Sequence, residues 1–423
     1  MIFGLCDCVS YYASCVQLFR PELKGKPVVV LSNNDGAIVA LTKEAKKIPG
    51  VKRGIPLFTI KDLVKEHNIQ VFSSNYTLFE EVSLRVFNTL SRFTPDIERY
   101  SIDEAFLQFK GYENYDIEEY ARHIVATTIQ NTGIPVSMGL AHSKTLSKVA
   151  NKLSKSDPNC KGVRTLLTKG DIEKALVDFP VEDLWGIGGQ YAKLLHNMGV
   201  KYAGQFVKLN QDWIKRNLNI TGLRMWHELQ GKSCIPLEDI PPNKKGICSS
   251  KSFGKLMIEK EPISEAIANF SALCARKLRN QKSCCKLMSV FINTHPFRDD
   301  LPQYNKSKLV KFQVATNSTI EMIAEAQKAL DEIFKSGYHY KKAGVIVMDI
   351  IPANQVQTNI FDSIADRGKQ ARAMKALDII NGIYGHDVVR LGSQGYSKEW
   401  KLRAENLPPC YTTRLSDLIT INI

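Results

Sequence analysis

The chain has 423 residues, enough for two to four domains with a substantial core in each. With 57 Lys and Arg against 43 Asp and Glu, the formal charge is +14, a balance that favours a polyanionic partner such as nucleic acid over an acidic protein surface. No apolar run approaches the roughly 18 residues of a membrane span, and the chain opens in a strand pattern without a charged leader, so a cytoplasmic protein with no membrane partner is expected. The 10 cysteines include no paired CxxC knuckle and read as reduced core thiols.

In chain order, the run beginning at Ile2 is an apolar strand pattern that Asp7 interrupts just before Tyr11 and Tyr12. Tyr11 to Phe19 reads as a helix with Tyr12, Cys15, Val16 and Phe19 on one face. Residues 27–31 and 37–41 form two apolar strands about the turn Ser32-Asn33-Asn34-Asp35-Gly36, which predicts a hairpin. A short helix over 42–47 follows, with Lys43 and Lys46 on one face near its start, where backbone N–H groups favour anions. They suit a phosphate, although most basic helix faces are simply solvated.

Tyr76 to Leu90 is a periodic helix, burying Leu78, Val82, Val86 and Leu90. Next comes Tyr100-Ser101-Ile102-Asp103-Glu104-Ala105, which continues into Phe-Leu-Gln-Phe and reads as a strand with acids at its polar edge. Alone, an Asp-Glu pair is an ordinary surface turn or cap. If this strand pairs with the first, Asp7, Asp103 and Glu104 meet on one sheet edge, and such a cluster is costly unless divalent cations neutralise it. A helix over 117–128 and a strand over 136–141 complete an α/β alternation. Lys144, Lys148, Lys152 and Lys155 then form a stripe along a helix of residues 143–155, suited to a phosphate backbone, a triphosphate or plain solvent.

From about 171 a helical unit centres on Trp185-Gly186-Ile187-Gly188, which resembles a helix-hairpin-helix. Glycines there let Gly186 and Gly188 present backbone N–H groups to a phosphate without reading sequence. After a linker at 239–246, strands and helices follow in the order βαββαβ, the pattern of a split sheet with two helices on one face. Residues 244–350 hold 18 Lys and Arg against 10 Asp and Glu, so this module is the basic one, and Lys251 and Ser252 in its first strand suit a phosphate backbone. Beyond Pro352, the stretch Gln355 to Asp362 reads as a docking peptide or a folded-back segment. A helix spans 369–384, and Tyr411-Thr412-Thr413-Arg414 lies in a tail whose fold is not derivable.

Taken together, Asp7, Tyr11-Tyr12, Ser101 to Ala105, Gly186-Ile187-Gly188, Lys251 to Gly254 and Tyr411 to Arg414 make the sequence resemble the Y-family translesion DNA polymerases. Within them it resembles the UmuC branch, the catalytic subunits of bacterial DNA polymerase V and their plasmid-borne relatives. The resemblance implies a multidomain α+β right hand: palm and fingers at 1–170 (fingers about 24–78), a helix-hairpin-helix thumb at 171–238, a βαββαβ little finger at 247–350, and a C-terminal extension at 351–423.

It also implies template-directed, error-prone translesion synthesis from dNTP substrates in an SOS-type damage response. Two Mg²⁺ ions would be held by Asp7, Asp103, Glu104 and the backbone carbonyl of Cys8. By the same resemblance Tyr12 is a steric gate against ribose, and Lys46, Lys155 and more weakly Lys43 hold the triphosphate. Gln357, Ile360 and Phe361 match a peptide that binds the sliding clamp. The partners implied are primer-template DNA, the clamp, a UmuD′-like homodimer and a RecA filament. Leu41 departs from the pattern, standing where the UmuC branch carries arginine, and Val9-Ser10 and Tyr11 replace its Asn-Ala-Phe. A non-catalytic DNA- and clamp-binding adaptor is the alternative, and a nuclease or cyclase with palm-like carboxylates a third. Neither needs the carboxylates, the gate and the basic module together.

Overall fold

The computed structural model describes the chain except residues 113, 239–241, 361, 363, 365, 386, 397–398 and 419–423. It divides into two compact units, one of Met1–Ser32, Gly36–Pro241 and Asn406–Ile423, the other of Asn33–Asp35 and Pro242–Glu405.

The first unit begins with β1 (Ile2–Cys8), α1 (Tyr11–Phe19) and the expected hairpin of β2 (Val28–Leu31) and β3 (Ile38–Leu41). Then come α2 (Lys43–Lys46), α3 (Lys61–Glu66), β4 (Gln70–Ser73), α4 (Tyr76–Leu90), β5 (Ile97–Arg99), β6 (Glu104–Phe109), α5 (Ile117–Thr132), β7 (Val136–Ala141), α6 (Lys144–Ser156) and β8 (Val163–Leu166). Five strands form a sheet in the order β5-β6-β1-β7-β8. β1 takes the centre because it is apolar on both faces. Cys6 and Cys8 pack with Leu107, Met138, Val86 and Ile124 beneath α4 and α5, whereas Phe3 and Leu5, one residue out of phase, are buried on the other side. There α6 lies over β1, β7 and β8. Its approach requires Gly139, since a Cβ at that position would sit 2.1 Å from the Asn151 backbone nitrogen.

β4 joins β2 in parallel to make a second sheet, β3-β2-β4, over a small core that includes Val29, Leu31, Ile38 and Leu41. The sequence reading lacked this strand, because four residues carry too little periodicity. Four helices, α7 (Lys169–Val177), α8 (Gly189–Asn197), α9 (Ala203–Phe206) and α10 (Gln211–Glu228), follow and share a core with Leu146 and Val149 of α6. At the end of α10 the fully buried Glu228 carboxylate accepts hydrogen bonds from the backbone N–H groups of Thr145, Cys234 and Ile235 and from the Thr145 hydroxyl.

The second unit contains β9 (Ile247–Met257), α11 (Lys260–Asn280), β10 (Ser283–Thr294), β11 (Asn305–Thr316), α12 (Thr319–Ile333) and β12 (Tyr340–Pro352), the expected βαββαβ order. All its strand pairs are antiparallel, in the order β11-β10-β12-β9, and Phe253, Ile267, Phe270, Met288 and Val345 fill the space between sheet and helices. α13 (Arg367–Tyr384) is tied to α11 by a two-pronged pair of Arg279 with Asp378 at 2.6 and 2.7 Å. Trp400 packs edge-on against Phe270. Of the C-terminal extension expected at 351–423, the part up to Glu405 belongs to the second unit and the stretch from Asn406 to the first. Among the described residues no helix is long and apolar enough to cross a membrane.

Candidate active site

Pairing of β1 with β6 sets Asp7 directly opposite Glu104, and the Cys8 N–H donates to the Asp103 carbonyl at 2.9 Å. The three carboxylates separated by almost a hundred residues of sequence thus share one sheet edge. Ser101 organises the acidic turn, its hydroxyl donating to Asp103 Oδ1 at 2.6 Å and accepting from the Asp103 and Glu104 N–H groups. Because Asp7 and Glu104 lie on the face covered by α6, its lysines reach them: Lys155 Nζ is 2.6 Å from Asp7 Oδ1 and Lys148 Nζ is 2.9 Å from Glu104 Oε1. Burial pushes the Asp7 carboxyl up to about 6, with Lys155 opposing the shift and Glu104 and Asp103 reinforcing it. The same burial raises the Cys6 thiol to about 12 and the Cys8 thiol well above its usual range, so both stay protonated; all ten cysteines are free.

The acid edge demands positive charge, and two ammonium groups answer that demand. An all-oxygen donor set of Asp7, Asp103 and Glu104 suits a hard divalent cation. Among the described residues no three Asp, Glu, His or Cys side chains converge into a ready cage, and the carboxylates are engaged by Lys155, Lys148 and Ser101 instead.

Asp7, Asp103, Glu104 and Lys155 form one wall of a cleft of about 1250 Å³ that is also lined by Cys8, Tyr12, Lys43, Lys46, Arg53 and Lys161. Tyr12 is half-buried and stacked on Phe79 with ring centroids 4.6 Å apart and an angle of 14°, while Tyr76 meets it edge-on at 6.0 Å. The apolar face of α1 turns slightly from the one expected: Tyr11 and Cys15 are fully buried, and Tyr12 faces the cleft. Lys43 and Lys46 are exposed on α2. That helix is a single turn, so the aligned peptide dipoles expected to help hold an anion are largely missing and the side-chain charges carry any grip. Leu41 points into the core of the small sheet, 2% exposed.

The lysine stripe of α6 is not an open basic face. Lys144 is 1% exposed and paired with the buried Glu98, Lys152 pairs with Asp183, and the other two hold Glu104 and Asp7. Lys148 also lies 4.4 Å above the Tyr100 ring and 5.4 Å above Trp185, whose indole N–H donates to the Tyr100 hydroxyl. Sequence reasoning missed these partners; the four-residue lysine spacing was a signal for them, but it did not say which acids would lie opposite. Arg53 was also missed. Its Nε donates to the Val39 carbonyl at 2.7 Å, and nothing in its sequence context marks it as a cleft residue.

Gly186, with φ near 100°, and Gly188 are exposed on either side of the buried Ile187, an arrangement that leaves backbone amides accessible. Lys251 and Ser252 lie on opposite faces of β9, because neighbours on a strand point oppositely. Lys251 reaches over the Trp400 ring at 5.5 Å, and Ser252 lies opposite Lys342. Gln357 and Ile360 are exposed, Ile360 at 92%, whereas Phe361 lies outside the described residues.

Comparison with known proteins adds a family to this geometry. The impB/mucB/samB family matches residues 6–152 and its C-terminal domain residues 244–360, while a domain of unknown function, DUF4113, matches 371–421. The chain is 38% identical to Protein UmuC of Salmonella typhimurium over 99% of its own length and 100% of the relative's, and 37% identical to Protein SamB of the same organism over 99% of both. Among solved structures it is similar to a Y-family DNA polymerase chimera, Dbh-Dpo4(243-245)-Dbh, with a TM-score of 0.65 and 22% identity over 83% of this chain and 100% of the other. That likeness assigns the right-hand fold of palm, fingers, thumb and little finger. With the family's pattern running through nearly the whole sequence and its fold beneath it, the chain belongs to the impB/mucB/samB family, the UmuC-like branch of the Y-family translesion DNA polymerases.

Proposed function

We propose that the edge formed by Asp7, Asp103 and Glu104 is the catalytic centre of template-directed, error-prone translesion DNA synthesis within an SOS response, adding dNMP to a primer 3′-hydroxyl with release of pyrophosphate. The observation that carries this reading is the β1–β6 register, which brings acids from distant segments together at the wall of a large cleft. Asp7, Asp103, Glu104 and the Cys8 carbonyl would hold two Mg²⁺ ions. When bound, the ions lower the pKa of the primer hydroxyl and neutralise charge on the leaving pyrophosphate.

The chain's own residues supply the rest. Lys155 and Lys148 sit where a ligand that takes over the carboxylates frees their ammonium groups for phosphate oxygens. Lys46 and Lys43 meet the triphosphate from the fingers side of the cleft. Tyr12, backed by Phe79, presents a rigid ring to the sugar and leaves no room for a 2′-hydroxyl. Primer-template DNA is held by the Gly186 and Gly188 amides and by the basic second unit, with Lys251 and Ser252 contributing from different faces of β9. Gln357, Ile360 and Phe361 dock on a sliding clamp, and family membership supports a UmuD′-like homodimer and a RecA filament as further partners.

Primer extension on undamaged and abasic templates, with and without a UmuD′-like dimer, tests this reading. The parent chain is expected to incorporate dNMP and Asp103→Asn to incorporate none while keeping its circular dichroism spectrum. Incorporation by Asp103→Asn at ordinary Mg²⁺ would sink the assignment, and equal inactivity of both proteins would favour the adaptor.

A further inference from the structure

The chemistry above leaves the end of the chain without a task, although Tyr411-Thr412-Thr413-Arg414 belongs to the family pattern and is built into the first unit. Asn406 lies alongside Ser73, the last residue of β4: its carbonyl accepts from the Ser73 N–H at 2.9 Å, and its own N–H donates to the Ser73 hydroxyl at 3.0 Å. Two residues on, the buried Pro408 offers its carbonyl to Asn75 Nδ2 at 2.8 Å, and the buried Cys410 thiol lies 3.2 Å from the same nitrogen. Asn75 is also the N-cap of α4, its Oδ1 accepting from the Leu78 N–H at 3.2 Å. The Tyr411 ring then stacks on Phe19, the last residue of α1, with centroids 4.9 Å apart and an angle of 15°. Asp417 closes the turn by accepting from the Cys410 N–H at 2.9 Å.

The two anchoring points lie on the two helices that set the position of Tyr12. α1 carries Tyr12 itself; it starts at Ser10 in a left-handed conformation with no side-chain cap, and its first turn is joined to α4 by the Tyr11 hydroxyl, which donates to the Phe79 carbonyl at 2.5 Å. α4 carries Tyr76 and Phe79, the rings packed around Tyr12. A ring that discriminates by contact tolerates little displacement of its backing. Holding α1 at Phe19 and α4 at Asn75 therefore fixes one helix against the other.

We infer that the segment from Asn406 to Asp417 is a strap that positions the Tyr12 ring, with Tyr411 and Asn75 as positioning residues for sugar discrimination. The inference rests on the reading of Tyr12 as the sugar gate, and its test separates the two. Single-nucleotide incorporation of a dNTP and of the matching rNTP is measured for the full chain and for Tyr12→Ala, Tyr411→Ala and Tyr411→Phe. Tyr411→Ala is expected to lower the dNTP to rNTP ratio of kcat/KM roughly tenfold, mainly by lowering KM for the rNTP with kcat for the dNTP near the parent value, and Tyr411→Phe to restore it. If Tyr411→Ala does not fold, Asn75→Ser, which keeps a cap acceptor and loses the donor to Pro408, is expected to lower the ratio in the same way. An unchanged ratio in the strap variant, with Tyr12→Ala shifting it, overturns the strap and leaves the gate. No shift with Tyr12→Ala overturns the gate and the strap together.

Discussion

Asp7 is under electrostatic tension, with a side chain only 17% exposed, two acidic neighbours and a lysine drawn in as counter-charge. A cation that binds this edge relieves that tension and so stabilises the folded state by mass action. Adding Mg²⁺ to the metal-free protein is expected to raise the thermal unfolding midpoint by roughly 2–4 °C, and Asp103→Asn to lose that rise; scanning calorimetry with and without the ion checks both. Tyr12 owes its stiffness to its neighbours, since stacking on the fully buried Phe79 leaves little freedom at χ1. Tyr12→Ala is expected to improve relative use of ribonucleotides on the order of 10- to 100-fold, read as the ratio of dNTP to rNTP incorporation. Glu104 differs from Asp7 and Asp103 in its partner, Lys148, whose ammonium also lies over the Tyr100 and Trp185 rings.

At the scale of elements, α6 shows how one regular spacing serves unlike ends. Its four lysines each meet a carboxylate, but burial separates their energetics. Removing Lys144 strands Glu98 in the interior, where it is 8% exposed and also accepts from the Glu238 N–H. Lys144→Ala is therefore expected to cost about 3–5 kcal/mol in urea denaturation. Lys152 and Asp183 are 49% and 35% exposed, and Lys152→Ala is expected to cost no more than about 1 kcal/mol. The comparison has a single reason: water screens the outer pair and is shut out from the inner one. Gly139 makes the whole arrangement attainable by letting α6 lie close enough on β7 for Lys148 and Lys155 to reach the acid edge.

For the whole molecule, the residues proposed for catalysis and those proposed for recruitment occupy different stretches of chain. The acid edge, Tyr12 and the cleft lie in the first unit, whereas the Gln357–Phe361 peptide follows β12 in the second. Replacing Ile360 and Phe361 together by alanine is expected to abolish sliding-clamp capture in a pull-down and leave unassisted primer extension unchanged. All ten cysteines are free, and burial pushes the Cys6, Cys15, Cys274 and Cys285 thiols each up to about 12, far from thiolate reactivity.

Much of this was legible in the sequence because it depends on local pattern. The periodicity of α4 and β7 marked both ends of each, the βαββαβ order could be read from alternating periods, and Asp7 stood out as a charge in an apolar strand. What the sequence left open depends on partners distant along the chain. That Asp7 lies opposite Glu104, that the lysine stripe is consumed by four separate acids, that Lys251 and Ser252 diverge, and that the last residues return to Phe19 and Asn75 were decided by strand register and close packing. Local propensity acts over a few residues. A carboxylate's partner is chosen by whichever side chain the completed fold brings within reach, and only the tertiary structure carries that choice.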